Sequence, residues 1–147
     1  MEKDLASQGI GFPRPRLQHQ RLIMQTIRRM CDEIMAIPGW EILPEATVTD
    51  NPYDRYPDIV VFDENRIPVM TFEFCLHKQI PYNKRKGYIL FERFPEATFF
   101  IYDYERQILL GMDREHPQWV DNREVALYSP YLKYPIMDYI LGSHWVY

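Results

Sequence analysis

The sequence predicts a mixed α/β domain, a central sheet flanked by helices, and three stretches carry that prediction. From about Leu17 to Ala36 apolar residues recur at helical spacing, with Ile23, Ile27, Met30 and Ile34 on one stripe. From Pro57 to Cys75 two apolar runs, PDIVVF and PVMTFEFC, enclose a polar reversal and read as a β-hairpin. Ala97 to Tyr102 (ATFFIY) shows no alternation, as expected of a strand covered on both faces. The order helix, strand, hairpin, helix, strand, strand then places helices against one sheet.

Composition bounds what such a domain does. At 147 residues, with 46% hydrophobic and 26% charged residues, the chain has enough material for one packed core. No apolar run approaches membrane-span length, and MEKDLASQGIG has no signal-peptide core. Cys31 and Cys75 lack a CxxC partner, which suggests reduced thiols and a cytoplasmic location. The formal net charge of −4 argues against constitutive, purely electrostatic nucleic-acid binding. Basic residues are nevertheless grouped, at Arg14, Arg16, Arg21, Arg28 and Arg29, and again at His77, Lys78, Lys84, Arg85 and Lys86. Such runs are commonly solvated faces.

The chain divides into a mobile leader over residues 1–16, closed by Pro13 and Pro15, and a single α/β domain over residues 17–147. The first helix stops at Pro38-Gly39. His19 lies four residues before Ile23 and continues the apolar stripe toward the helix start, where most such histidines pack. Trp40 to Val48 reads as a strand, with Pro44 marking an edge or a bulge. Asp50 to Asp54 is a turn-rich loop into the hairpin. Beyond the hairpin, Pro81 suits the first turn of a helix running to about Phe91 or Arg93. Lys84, Tyr88 and Phe91 fall on one stripe of it, and Gly87 would allow close backbone approach. Gln107 to Met112 forms the last strand, and the aromatic-rich end, from Trp119 to Tyr147, caps the core or builds a partner surface.

Two acidic residues stand where hydropathy would not put them. Asp58 opens the first run of the hairpin and Glu73 nearly ends the second. With Glu64-Asn65 as a two-residue loop, Asp58 faces Thr71, Glu73 is its diagonal neighbour, and Asp58, Thr71, Glu73 and Cys75 share a face. A one-residue slip would separate the acids onto opposite faces. Two carboxylates converging in an apolar sheet repel each other and resist desolvation, and a hard divalent cation relieves both costs. The plainer alternative is a pair of solvated edge-strand acids.

These residues resemble the PD-(D/E)XK, or restriction-endonuclease-like, superfamily. Pro57-Asp58 matches its PD, and Glu73-Phe74-Cys75 stands at (D/E)-X-K with Cys75 in place of the lysine. The Uma-two-type endonucleases are similar in this respect: a basic residue on the next helix takes over from the missing lysine. Here that residue is Lys84, with Tyr88 completing K-x-x-x-Y; His19-Gln20-Arg21 resembles the family's H-x-R, and Phe99 to Asp103 its aromatic strand ending in Asp. Ser129 to Ile140 loosely resembles its C-terminal segment, so the similarity runs from about His19 onward.

The resemblance implies a restriction-endonuclease-like mixed central sheet flanked by helices, acting as a Mg²⁺- or Mn²⁺-dependent nuclease. In that scheme Asp58 and Glu73 hold the metal, with a main-chain carbonyl of Phe74 or Cys75 as a further ligand. Lys84 orients the attacking water or stabilises developing charge, His19 orients Asp58 or the phosphate, and Tyr88 assists Lys84. The implied substrate is nucleic acid, DNA in the first place, with a homodimer as one option for assembly and no membrane. Two other readings compete: a catalytically inactive nuclease fold used in protein binding or assembly, favoured by the missing lysine and the negative charge, and a thiol enzyme built on Cys75 with His77 or His19.

Overall fold

The computed structural model describes residues 13–45 and 57–145. Helix α1 (Pro13–Met35) begins inside the stretch expected as a leader. Pro13 and Pro15 are tolerated there because the N–H groups of a first turn have no intrahelical acceptor. The remainder of that leader, residues 1–12, lies outside the described residues, as do the end of the expected Trp40–Val48 strand and the Asp50–Asp54 loop. Among the described residues six strands follow: β1 (Glu41–Pro44), β2 (Ile59–Phe62), β3 (Pro68–Cys75), β4 (Thr98–Asp103), β5 (Ile108–Met112) and β6 (Val120–Asp121). Between β3 and β4 run a 3₁₀ turn (His77–Gln79) and helix α2 (Ile80–Arg93); a short helix α3 (Ile136–Leu141) comes last.

The strands form one sheet in chain order. Neighbours are antiparallel except β3 and β4, which are parallel and joined by the α2 crossover. Among the described residues β1 is an edge strand, a position where a proline's missing N–H is tolerated. On one face Ile59, Val61, Phe72, Phe74, Phe100 and Tyr102 pack against Ile23, Met30 and Ile34 of α1 and Ile136 and Tyr139 of α3. On the other face Phe99 and Met112 pack against Leu90 of α2 and Trp119. Covered on both sides, β2 and β4 are buried almost throughout, which explains their unbroken apolar runs.

The hairpin register differs from the expected one. The reversal spans Asp63 to Ile67, with Asp63 N–H donating to the Ile67 carbonyl, and Arg66 takes the left-handed conformation at φ 61°. Asp63 Oδ1 accepts from the N–H groups of Asn65 and Ile67, an Asx arrangement that holds the turn. A bulge between Val61 and Phe62 then shifts the pairing so that Ile59 faces Phe72 and Val60 faces Thr71. Relative to the expected register the strands have slipped by two residues. An even slip leaves every side chain on its expected face. Asp58 consequently lies opposite Glu73 instead of diagonal to it.

Helix α2 also differs, in its phase. Its buried residues are Asn83, Gly87 and Leu90, whereas Tyr88 is exposed and meets the edge of Trp119. Gly87 is where the helix presses closest to the body of the protein: a Cβ there would lie 2.5 Å from Trp119 Cζ2. In an ordinary helix interior Gly→Ala stabilises by about 1 kcal/mol, but forcing a methyl group into packed aromatic carbon costs about 1–3 kcal/mol. Gly87→Ala is therefore expected to destabilise the domain by about 1 kcal/mol, read as a lower urea midpoint at unchanged m-value.

The aromatic C-terminal region divides between core and surface. Tyr139 is fully buried; its hydroxyl donates to Glu33 and accepts the N–H groups of Lys133 and Tyr134. Arg29, buried on α1, donates at 3.0 and 2.9 Å to the carbonyls of Tyr139 and Ile140, the unsatisfied end of α3. Gly142 closes that helix in the left-handed region at φ 76°, against the Arg29 guanidinium. Tyr128 and Tyr131 stay exposed.

Candidate active site

The site forms where β2 begins and β3 ends. Asp58 N–H donates to Glu73 Oε1 at 2.8 Å, and Phe74 N–H donates to Asp58 Oδ2 at 2.7 Å. Each carboxylate thus accepts a backbone N–H from the opposite strand, where plain strand pairing would have used carbonyls. Both side chains are mostly buried, at 16% exposure for Asp58 and 13% for Glu73.

Two basic side chains, one from each side of the sheet, meet these acids. From α1, His19 Nε2 lies 3.0 Å from Asp58 Oδ2. Its pKa is raised by that hydrogen bond, with desolvation opposing and the charges of Asp58 and Glu73 adding to the rise. From α2, the ammonium of Lys86 lies 2.7 Å from Glu73 Oε2, with its side chain only 13% exposed. Burial pushes the Glu73 carboxyl up to about 7, against the pull of Lys86.

His19, Asp58 and Glu73 are therefore brought together as expected, and Lys84 is not. Lys84 is half-buried on α2, without a hydrogen bond or ion pair to either carboxylate among the described residues. Lys86 takes the position in space that the sequence suggested for Lys84. Tyr88 points away, toward Trp119. Phe74 contributes a backbone donor to Asp58, and the Cys75 carbonyl accepts the N–H of Tyr104 at 3.1 Å. The Cys75 thiol is buried and pushed up to about 12, first by desolvation, which disfavours the thiolate that the thiol-enzyme reading needs.

A hard divalent cation fits this donor set in a limited sense. Magnesium sites commonly use one or two protein carboxylates and complete the shell with water and substrate phosphate oxygens. Asp58 and Glu73 supply that pair, and among the described residues no donor occupies Asp58 Oδ1. No group of three or more His, Cys, Asp or Glu side chains among the described residues is arranged to enclose a metal by itself. A cavity of about 260 Å³ opens at the far end of the sheet, lined by Thr98, Phe100, Gly111, Leu127 and Tyr128. Its walls are mainly apolar and it lies away from the carboxylates, so charge rather than concavity locates the site.

Comparison with solved structures finds a match over most of the chain. The crystal structure of a protein from Anabaena variabilis, described as "a putative nuclease belonging to DUF820", superposes with a TM-score of 0.65 and 14% identity, covering 84% of this chain and 80% of that one. The two chains share their fold. No family model matches the sequence, and no curated protein matches it. Among the described residues no helix is long and apolar enough to cross a membrane.

Proposed function

We propose that the protein is a nuclease that hydrolyses phosphodiester bonds in nucleic acid, DNA in the first instance, using Mg²⁺ or Mn²⁺ held by Asp58 and Glu73. The observation that carries this reading is the buried, face-to-face carboxylate pair with a lysine ammonium on one acid and an imidazole on the other. When bound, such an ion supplies an acidified water and neutralises charge on the scissile phosphate. Lys86, tethered to Glu73, presents an ammonium where negative charge builds on the phosphate oxygens, or holds the attacking water there. His19 holds the Asp58 carboxylate in one orientation through its Nε2 hydrogen bond. The fold shared with the Anabaena protein supports the same reading.

A non-catalytic role has one observation in its favour. With His19 protonated, two positive and two negative groups satisfy one another, and such a network stands as a structural element without an ion. Titration of Mn²⁺ into the protein and into Asp58→Asn, alongside cleavage of single- and double-stranded DNA, separates the two. The nuclease reading expects binding weakened at least tenfold in Asp58→Asn, with cleavage lost in parallel. No binding by the wild-type protein at millimolar Mn²⁺ would sink it.

A further inference from the structure

A second polar cluster stands at the same end of the sheet. Asp103, at the C-terminal end of β4, is completely buried. Its Oδ1 accepts the N–H groups of Glu105 and Arg106 at 2.9 and 3.0 Å, and its Oδ2 lies 2.7 Å from His77 Nδ1. The other ring nitrogen, His77 Nε2, lies 2.9 Å from an Nη of Arg106. A guanidinium only donates, so Nε2 accepts and the His77 proton sits on Nδ1, donated to Asp103. The chain thus runs from a buried carboxylate through a neutral imidazole to an exposed guanidinium.

This arrangement is unusual in what it leaves available. Among the described residues Arg106 is held through a single N–H, and the partner that holds it is neutral. The guanidinium therefore keeps its charge uncompensated by that contact, with most of its five N–H donors directed elsewhere. An arginine paired with a carboxylate would have lost both.

The location is equally specific. β3 and β4 are parallel, with Glu73 beside Ile101 and Cys75 beside Asp103, so both clusters lie at the carboxyl ends of these strands. Ligands of α/β sheets gather outside that end. Tyr104 connects the two clusters: its N–H pins the Cys75 carbonyl and its ring faces His19 at 6.3 Å. Its phenol is raised by burial first and then by neighbouring acidic groups that include both Asp58 and Asp103.

We propose that Arg106, held by the Asp103–His77 pair, clamps a backbone phosphate of the nucleic acid beside the one that is cleaved. This rests on the nuclease reading above. His77 and Asp103 are positioning residues, since they act through Arg106. A bidentate guanidinium–phosphate contact also lets a protein of negative net charge hold a polyanion locally.

The test uses the full chain and a fluorescently labelled double-stranded oligonucleotide, with Ca²⁺ in place of Mg²⁺ and binding measured across a salt series. Losing one phosphate contact lowers the slope of log K against log salt by about one and, near 0.1 M salt, weakens binding roughly tenfold. Arg106→Gln is expected to show both effects. His77→Phe, which removes the acceptor but leaves Arg106 in place, is expected to weaken binding with a smaller change in slope. Arg114→Gln, which removes the same charge beyond β5, serves as the control. Wild-type cleavage together with an unchanged affinity and slope in Arg106→Gln would overturn the clamp and leave the nuclease reading standing. A wild-type protein that neither binds nor cuts the oligonucleotide would overturn both.

Discussion

On the proposed nuclease activity, Lys86→Met is expected to lower the single-turnover rate of DNA cleavage by about 10²–10³, the usual cost of removing one preorganised electrostatic donor. Lys84→Met is expected to lose far less. The difference follows from which ammonium reaches the carboxylates: Lys86 lies 2.7 Å from Glu73 Oε2, and Lys84 touches neither acid. Lys86 has a second effect that must be separated from the first. Its charge holds the Glu73 pKa down against desolvation, so its removal also favours a protonated Glu73 that binds metal poorly. Rates measured at saturating Mn²⁺ from pH 7 to 9 distinguish the two. A deficit that persists at pH 9 belongs to the missing ammonium; one that disappears belongs to the ionisation of Glu73. A larger loss from Lys84→Met than from Lys86→Met would return the role to Lys84.

Why the acids were legible in the sequence, and the lysine was not, has a physical basis. Asp58 and Glu73 interrupt apolar runs, and side-chain faces along a strand have a period of two. The two-residue slip produced by the Arg66 turn and the Val61/Phe62 bulge therefore preserved their common face. On helix α2 each residue turns the face by about 100°, so no such protection exists. Hydropathy placed Tyr88 and Phe91 inward and brought Lys84 with them. Phe91 does pack, edge-on to Phe99, but Tyr88 is exposed and the helix buries Asn83 and Gly87, which hydropathy does not mark. Asn83 satisfies its amide on the Gln79 carbonyl, and Gly87 lets the backbone approach Trp119. Lys86, next to Gly87, is carried toward Glu73 by that approach.

The second cluster was hidden for a different reason. Ala97 to Tyr102 was readable as a buried strand, Asp103 as its acidic end only through the family resemblance, and His77 as one of a basic group. Their meeting depends on the parallel register of β3 and β4, which aligns Cys75 with Asp103, and periodicity within one segment cannot report such a register. The core faces were legible for the opposite reason. Unbroken runs such as IVVF and TFFIYD are informative because both sides of the sheet are covered.

Without divalent ions the protein is expected to lose stability as pH rises from about 5 to 8, which is unusual for a domain held partly by ion pairs. The sign follows from Glu73 and His19 together. The Glu73 pKa is raised by burial from 4.5 to about 7, so folding favours its protonated form; that contribution is complete below about 4.5 and is lost as pH passes through about 7. The pKa of His19 is also raised, above 6.5, so folding favours its protonated form as well, and that contribution too is lost as pH rises. Both act in the same direction. At 1.36 kcal/mol per pKa unit the Glu73 shift alone is worth about 3 kcal/mol, enough to displace the thermal midpoint by several degrees. Melting curves in EDTA at pH 5 and pH 8 measure the loss. Glu73→Gln alone is a poor control, because it strands a mostly buried ammonium; Glu73→Gln with Lys86→Met removes both charges and is expected to leave only the part of the pH dependence that His19 carries through Asp58. A wild-type midpoint independent of pH over this range would mean that neither Glu73 nor His19 is shifted upward on folding. The desolvation of Glu73 would then be fully offset by Lys86 and the Asp58 N–H. If the nuclease reading holds, adding Mn²⁺ should restore stability most strongly at pH 8, where the acid that binds the ion is already ionised.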